Sequence, residues 1–124
     1  MKRIMIADPD PAFRKAIALL ISRKLGIQNI DEAADTGTLI QKLADSLPDL
    51  VLLNWSIHGA PGPETCILLR NTYPNLKVIL LSLNPEDAPI AHRVGAEFIH
   101  KGASPEETLG TLKSVLIEGE KPCI

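Results

Sequence analysis

Residues 46–63 read SLPDLVLLNWSIHGAPGP. Leu50, Val51, Leu52 and Leu53 form an apolar run without alternation. Pro48 precedes it, and Gly59, Pro61, Gly62 and Pro63 follow the loop after it. A strand with one wet face alternates apolar and polar side chains. A strand covered on both faces does not, and cover on both faces is the condition of a parallel sheet packed between helices. The same uninterrupted character recurs at Arg3–Ala7, with Ile4, Met5 and Ile6, and at Val78–Leu81.

Working outward from that run, short β-rich segments alternate with longer helical patterns, and five such pairs fill the chain. A weaker strand is expected at Asn29–Ala33 and a short one near Glu97–His100. A first helix starts at about Asp10 and turns Phe13, Ala16, Ile17 and Leu20 to one face. A second starts at Thr36 or Thr38, with Leu39, Ile40, Leu43 and Leu47 as its apolar stripe. A third spans about Pro63 to Thr72. The fifth opens on Ser104-Pro105-Glu106-Glu107, where Ser104 caps, Pro105 suits the first helical position and Glu107 completes a capping box. Its buried face is Leu109, Leu112, Val115 and Leu116. The fourth helix is irregular. Asn84-Pro85 offers a start, yet Pro89 follows four residues later and interrupts the hydrogen-bond ladder. A short or broken helix from about Pro89 to Val94, closed by Gly95, is expected.

Size and composition narrow the function. The chain has 124 residues, enough for a single domain over 1–124 and too few for two. Apolar residues are 45% and charged residues 23%, which suits a globular core. The net charge is −2, with both signs dispersed; no basic patch speaks for nucleic-acid binding by this domain alone. No apolar stretch approaches the roughly 18 to 20 residues of a membrane span, and the start, MKRIMIADPD, turns acidic too early for a secretory signal. Cys66 lies in the apolar run CILL and reads as a core filler, Cys123 as exposed; a disulfide between them is not expected. A cytoplasmic location follows by default. No His/Cys/Asp spacing reads as a zinc site. No G-x-G-x-x-G, P-loop or nucleophile elbow is present, and aromatics are only 3%, so a nucleotide- or flavin-binding enzyme on the same architecture is disfavoured.

Strand and helix alternating over about 120 residues give an open, doubly wound α/β sandwich, and the flavodoxin-like strand order 2-1-3-4-5 is the natural five-strand case. Ligands of such sheets sit at the carboxyl ends of the strands, by the switch point between strands one and three. The residues to inspect are Asp8 to Asp10, Asn54 to Gly62, Ser82 to Pro85 and Lys101 to Ser104.

An acidic cluster after strand one, a residue ending strand three in LVLLNWSIHGAPG, Ser82 ending strand four and Lys101 ending strand five together resemble the response-regulator receiver domain of two-component signalling. The resemblance spans nearly the whole chain. SLPDLVLLN, PNLKVILLS and KGASPEETL are especially similar to versions found ahead of helix-turn-helix output domains. In that family, two acids after strand one help bind Mg²⁺ and an aspartate ending strand three becomes an aspartyl phosphate. A Ser or Thr and a Lys at the ends of strands four and five hold phosphate oxygens. By position, Asp8 is the first acid, Ser82 the hydroxyl, Lys101 the cation and Phe98 the switch-like aromatic three residues before it.

Two departures stand out. The second acid falls at Pro9, which offers no side-chain ligand, and the phosphoacceptor falls at Asn54. A carboxamide is a poor nucleophile and forms no stable acyl phosphate. Asp8 and backbone carbonyls are a thin donor set for a hard cation, so Mg²⁺ binding is expected to be weak or absent and no cofactor is expected. Lys101, facing fewer acids than usual, is left to pair with Asp8 or Asp10 or to donate to the Asn54 carbonyl; residual anion binding and a solvated lysine are the other readings. His58 stands where the loop usually has a proline and reads as an exposed loop residue; His100 reads as facing solvent.

The resemblance and these departures imply an atypical, pseudo-receiver module, not an enzyme, with a fixed rather than switched helix-four surface. It acts by phosphorylation-independent contact with a protein: a histidine kinase, an output protein or itself, a homodimer included. A decayed domain without activity fits the same residues. One alternative is a working phosphoacceptor on a non-standard residue, with Asp8, Asp10 and Ser56 the nearby choices. Another is the receiver part of a DNA-binding regulator, since a linker often begins near Glu118-Gly119-Glu120-Lys121-Pro122-Cys123-Ile124.

Overall fold

The structure is a computed structural model and describes residues 2–118; Cys123 lies outside them. Five parallel strands, β1 (Arg3–Ala7), β2 (Asn29–Ala33), β3 (Leu50–Asn54), β4 (Lys77–Ser82) and β5 (Glu97–His100), form one sheet in the order β2-β1-β3-β4-β5. Five helices connect and follow them: α1 (Pro11–Leu25), α2 (Thr36–Asp45), α3 (Gly62–Thr72), α4 (Ala88–Arg93) and α5 (Pro105–Glu118). This is the expected flavodoxin-like sandwich. The central strands are the expected runs extended at their ends, β3 to Asn54 and β4 over Lys77 to Ser82.

The absence of alternation has the anticipated cause. All five residues of β3 are buried, and the even and odd positions serve two different cores. Val51 and Leu53 join Leu39 and Leu43 of α2, Cys66 and Leu69 of α3 and Ala91 of α4. Leu50 and Leu52 join Ile17 and Ile21 of α1 and Leu112, Val115 and Leu116 of α5. Each fully buried Leu or Ile contributes about 1.5–3 kcal/mol relative to exposure, so both faces hold the central strands in place. The register sets Ile4 beside Leu50 and Leu50 beside Lys77, which brings Asp8, Asn54 and Ser82 to one edge of the sheet.

Local chemistry starts the helices. Asp10 Oδ1 accepts from the Ala12 N–H at 2.9 Å, with Pro11 at the first helical position. Gly26 ends α1 with φ 69°, the left-handed conformation that glycine adopts without steric penalty. The second helix starts at Thr36, the earlier of the two expected starts, and its cap is Asp35, whose carboxylate accepts from the Thr38 N–H at 2.7 Å. Two residues of the expected α2 stripe lie outside the core. Ile40 is 41% exposed and Leu47, beyond the helix end, is 46% exposed. With only ten residues, α2 buries a narrow face through Thr36, Leu39 and Leu43. Ala16 of α1 is likewise exposed and Leu109 of α5 only half-buried.

At α5 the Ser104 hydroxyl accepts from the Glu107 N–H at 3.1 Å, while the Glu107 carboxylate faces the Ser104 Oγ at 3.4 Å instead of the backbone N–H of a full capping box. The irregular fourth helix is two pieces. Pro85–Asp87 forms a 3-10 turn capped by Asn84, and Ala88 then opens six residues of α4 with Pro89 in its first turn, where no N–H is needed. Gly95 follows with φ 87°.

Candidate functional site

The positions singled out by the sequence lie along the carboxyl edge of the sheet. Asp8, one residue past β1, is 1% exposed. Its Oδ1 accepts from the Asp10 N–H at 2.9 Å. Its Oδ2 forms an ion pair with Lys101 Nζ at 2.7 Å. The same ammonium sits 4.2 Å from the centre of the Phe13 ring, a cation–π contact that adds to the pairing. The Lys101 side chain is only 14% exposed. Of the partners the sequence allows for Lys101, the fold selects Asp8. Asp10 is committed to the cap of α1, and the Asn54 carboxamide takes no hydrogen bond among the described residues.

Asn54 ends β3 and is 8% exposed. The backbone around it is tightly set. The Trp55 N–H donates to the Leu81 carbonyl at 2.8 Å, and the Gly62 N–H donates to the Trp55 carbonyl at 2.8 Å. A β-carbon on Gly62 would stand 2.8 Å from the Asn54 carbonyl oxygen and 2.9 Å from Trp55 Cα, so only glycine lets α3 start this close to the strand end. Between Trp55 and Gly62 the loop is pinned to α2: the Thr36 N–H donates to the His58 carbonyl at 2.9 Å. The His58 side chain itself is exposed, as expected.

Ser82 ends β4 and is buried, but its hydroxyl donates to Asp87 Oδ2 at 2.6 Å. Phe98 is half-buried and meets Trp55 edge to face, with ring centres 6.4 Å apart. Pro9, beside Asp8, is also half-buried. His100 faces solvent only in part: the residue is half-buried, and Nε2 lies 2.9 Å from the Leu83 carbonyl in an exposed contact. Cys66 is fully buried, and burial pushes its thiol above the ordinary value, which keeps it protonated and inert as a core filler.

Three participants escaped the sequence reading. Phe13 was assigned to a helix stripe, and only the chain's return at Lys101 sets a cation on its ring. Arg14 donates to the Asp8 carbonyl at 2.6 Å and pairs with Glu32 at 2.8 Å, tying the loop after β1 to β2. Asp87 holds Ser82; its only sequence signal is the Asn-Pro-Glu-Asp stretch, which reads as a turn. Beside this edge, between α1 and α5, a groove of about 280 Å³ is lined by Phe13, Ile17, Leu20, Leu81, Ile99 and Thr108.

An open parallel sandwich that gathers an acid, an amide, a hydroxyl and a lysine at the ends of β1, β3, β4 and β5 defines a receiver-type signalling domain. The chain belongs to the response regulator receiver domain family, whose model matches residues 4–113. It is similar to the transcriptional activator protein ExaE of Pseudomonas putida, 28% identical over 116 residues, covering 91% of this chain and 54% of that protein. It is also similar to the response regulator UvrY of Escherichia coli, 25% identical over 118 residues, covering 93% of this chain and 54% of that protein. The chain thus spans about half the length of these curated relatives. A CheY-like receiver domain protein from Methanospirillum hungatei shares the fold with a TM-score of 0.84 at 24% identity, over 97% of each chain. The receiver domain of NtrX from Brucella abortus does so with a TM-score of 0.83 at 24% identity, over 92% of this chain and 98% of that one.

Proposed function

We propose that this receiver domain signals through protein contact without accepting a phosphoryl group, and that it has no enzymatic activity of its own. One observation carries the reading: the residue ending β3, where the family resemblance puts the attacking aspartate, is Asn54, an uncharged amide. The neighbouring geometry supports it. The residues at the edge do not fit Mg²⁺. Asp8 is the one buried carboxylate at the ends of β1 and β3, one of its oxygens holds the Asp10 N–H and the other faces Lys101, and Pro9 adds no donor. No group of three or more His, Cys, Asp or Glu suited to a metal occurs among the described residues.

Receiver domains work with histidine kinases and output domains, and the partner proposed here is one of these or a second copy of the chain. The core on both faces of the sheet supports the reading of a folded module that can carry such contacts. Incubation with acetyl phosphate and Mg²⁺, followed by intact-mass measurement, tests the proposal. No added phosphoryl group is expected; the gain of one, on Asp8, Asp10, Ser56 or elsewhere, overturns it.

A second reading is favoured by the coverage of a transcriptional activator over half its length: the domain is then the receiver part of a longer DNA-binding regulator. An endogenous product larger than 124 residues by the size of a DNA-binding domain is the result that reading requires. No helix among the described residues is long and apolar enough to cross a membrane.

A further inference from the structure

The segment from Ser82 to Asp87 closes on itself through side chains. The Ser82 hydroxyl donates to Asp87 Oδ2 at 2.6 Å and accepts from the Asn84 N–H at 3.0 Å. Asn84 Oδ1 accepts from the Glu86 N–H at 3.0 Å, and the Asn84 carbonyl accepts from the Asp87 N–H at 3.1 Å. On its other side the segment is tied to the end of β5. The Lys101 N–H donates to the Ser82 carbonyl at 2.8 Å, and the His100 ring nitrogen stands 2.9 Å from the Leu83 carbonyl. Pro85 and Pro89 restrict the backbone on either side of Asp87. Within this frame Leu83 is held 76% exposed.

A serine has one hydroxyl proton. Here it goes to a carboxylate, the strong, short class of hydrogen bond, and it is not available to Asn54 or to any group bound beside it. We propose that Asp87 is an internal latch. Its carboxylate keeps the Ser82 hydroxyl out of the strand-end pocket and pins the loop and the first turn of α4 in one arrangement. The face that follows β4 is thereby fixed from within, with no external ligand needed to set it. The latch deepens the reading of a fixed α4 surface. It is independent of the chemistry of Asn54, so the phosphoryl-donor test and the one below fail separately.

The test is site-resolved amide hydrogen exchange on the full chain for Ser82→Ala, Asp87→Ala and the double variant. The probes are the Glu86 and Ala88 amides, whose acceptors lie on Asn84 and Pro85 and on neither substituted side chain. Asp87→Ala is expected to speed exchange there about tenfold, as for the loss of one hydrogen bond to a charged group, and Ser82→Ala by more, because it also removes the acceptor of the Asn84 N–H. The double variant should be no faster than Ser82→Ala, because Asp87→Ala removes nothing that Ser82→Ala leaves in place, and β1 and β3 amides should stay unchanged. Exchange within about twofold of the parent in Asp87→Ala, or single effects that multiply in the double variant, overturns the latch. Asp87→Asn, which keeps the size of the side chain and lowers its charge, is expected to fall between parent and Asp87→Ala and guards against a folding defect.

Discussion

Asp8 is 1% exposed, and the charge that faces it belongs to Lys101. The attraction of such a pair roughly offsets its desolvation, whereas removal of one partner leaves a charge buried without compensation. Lys101→Met should therefore cost about 3–5 kcal/mol of unfolding free energy in urea titration, and adding Asp8→Leu should return most of it. Equal destabilisation in the single and double variants would show that the lysine matters through its packing on Phe13 and not through charge. Gly62 makes a second point at this scale. Its missing β-carbon leaves room for backbone atoms 2.8 and 2.9 Å away, which cannot swing aside as a flexible side chain does. Gly62→Ala should cost about 1–3 kcal/mol. Gly110, inside α5, has nothing within 4 Å of the same position, and Gly110→Ala should raise stability by about 0.5–1 kcal/mol through helix propensity. Thermal melts of the two variants should move in opposite directions.

Strands were the most legible elements because their signal is collective: four consecutive apolar residues between turn-forming prolines and glycines satisfy two cores at once. Helix edges were less legible. The expected stripe of α2 counted Ile40 and Leu47 as core, but a ten-residue helix on a two-faced sheet covers little, and its start was set by the polar Asp35, not by the apolar pattern. That cap has a pH signature. The Thr38 backbone N–H, then the Thr38 hydroxyl and the charge of His58, hold the Asp35 carboxyl below its ordinary value against a small opposing effect of burial. A carboxyl depressed in the folded state adds stability above its unfolded value and loses it as pH falls through the folded one, so this contribution fades below about pH 4. Asp35→Asn keeps a capping oxygen and removes the charge. Its shortfall in stability against the parent should be widest near pH 6 and narrow progressively as pH falls below about 4, as followed by circular dichroism. A constant gap across that range would assign the effect to the hydrogen bond alone. Pro85 and Pro89 made the broken α4 readable in advance, whereas Asp87 was not, because a side-chain bond across five residues leaves no periodic trace.

At the scale of the whole molecule, the fold and the pocket chemistry are set by different residues. The sheet order and both cores depend on interior aliphatic side chains, none of which touches the question of Asn54 and Pro9. The pocket members could be named from sequence because parallel topology brings the strand ends together, while their partners depended on the loops that return over the sheet. If only two residues separate this pocket from a phosphoacceptor, then Asn54→Asp combined with Pro9→Asp should rebuild one on the unchanged scaffold. Two further carboxylates beside Asp8 repel each other and compete for Lys101, a penalty on the order of a few kcal/mol at the separations of one pocket. The double variant should melt lower than the parent without divalent cation and recover as Mg²⁺ is added, because a ligand that binds only the folded state stabilises it in proportion to the logarithm of its concentration. It should also gain one acid-stable, base-labile phosphoryl group from acetyl phosphate, detected by intact mass. Asn54→Asp alone should recover less with Mg²⁺ and label more slowly. A double variant that neither responds to Mg²⁺ nor takes the label would place the block elsewhere, with the Ser82–Asp87 bond as the next interaction to remove.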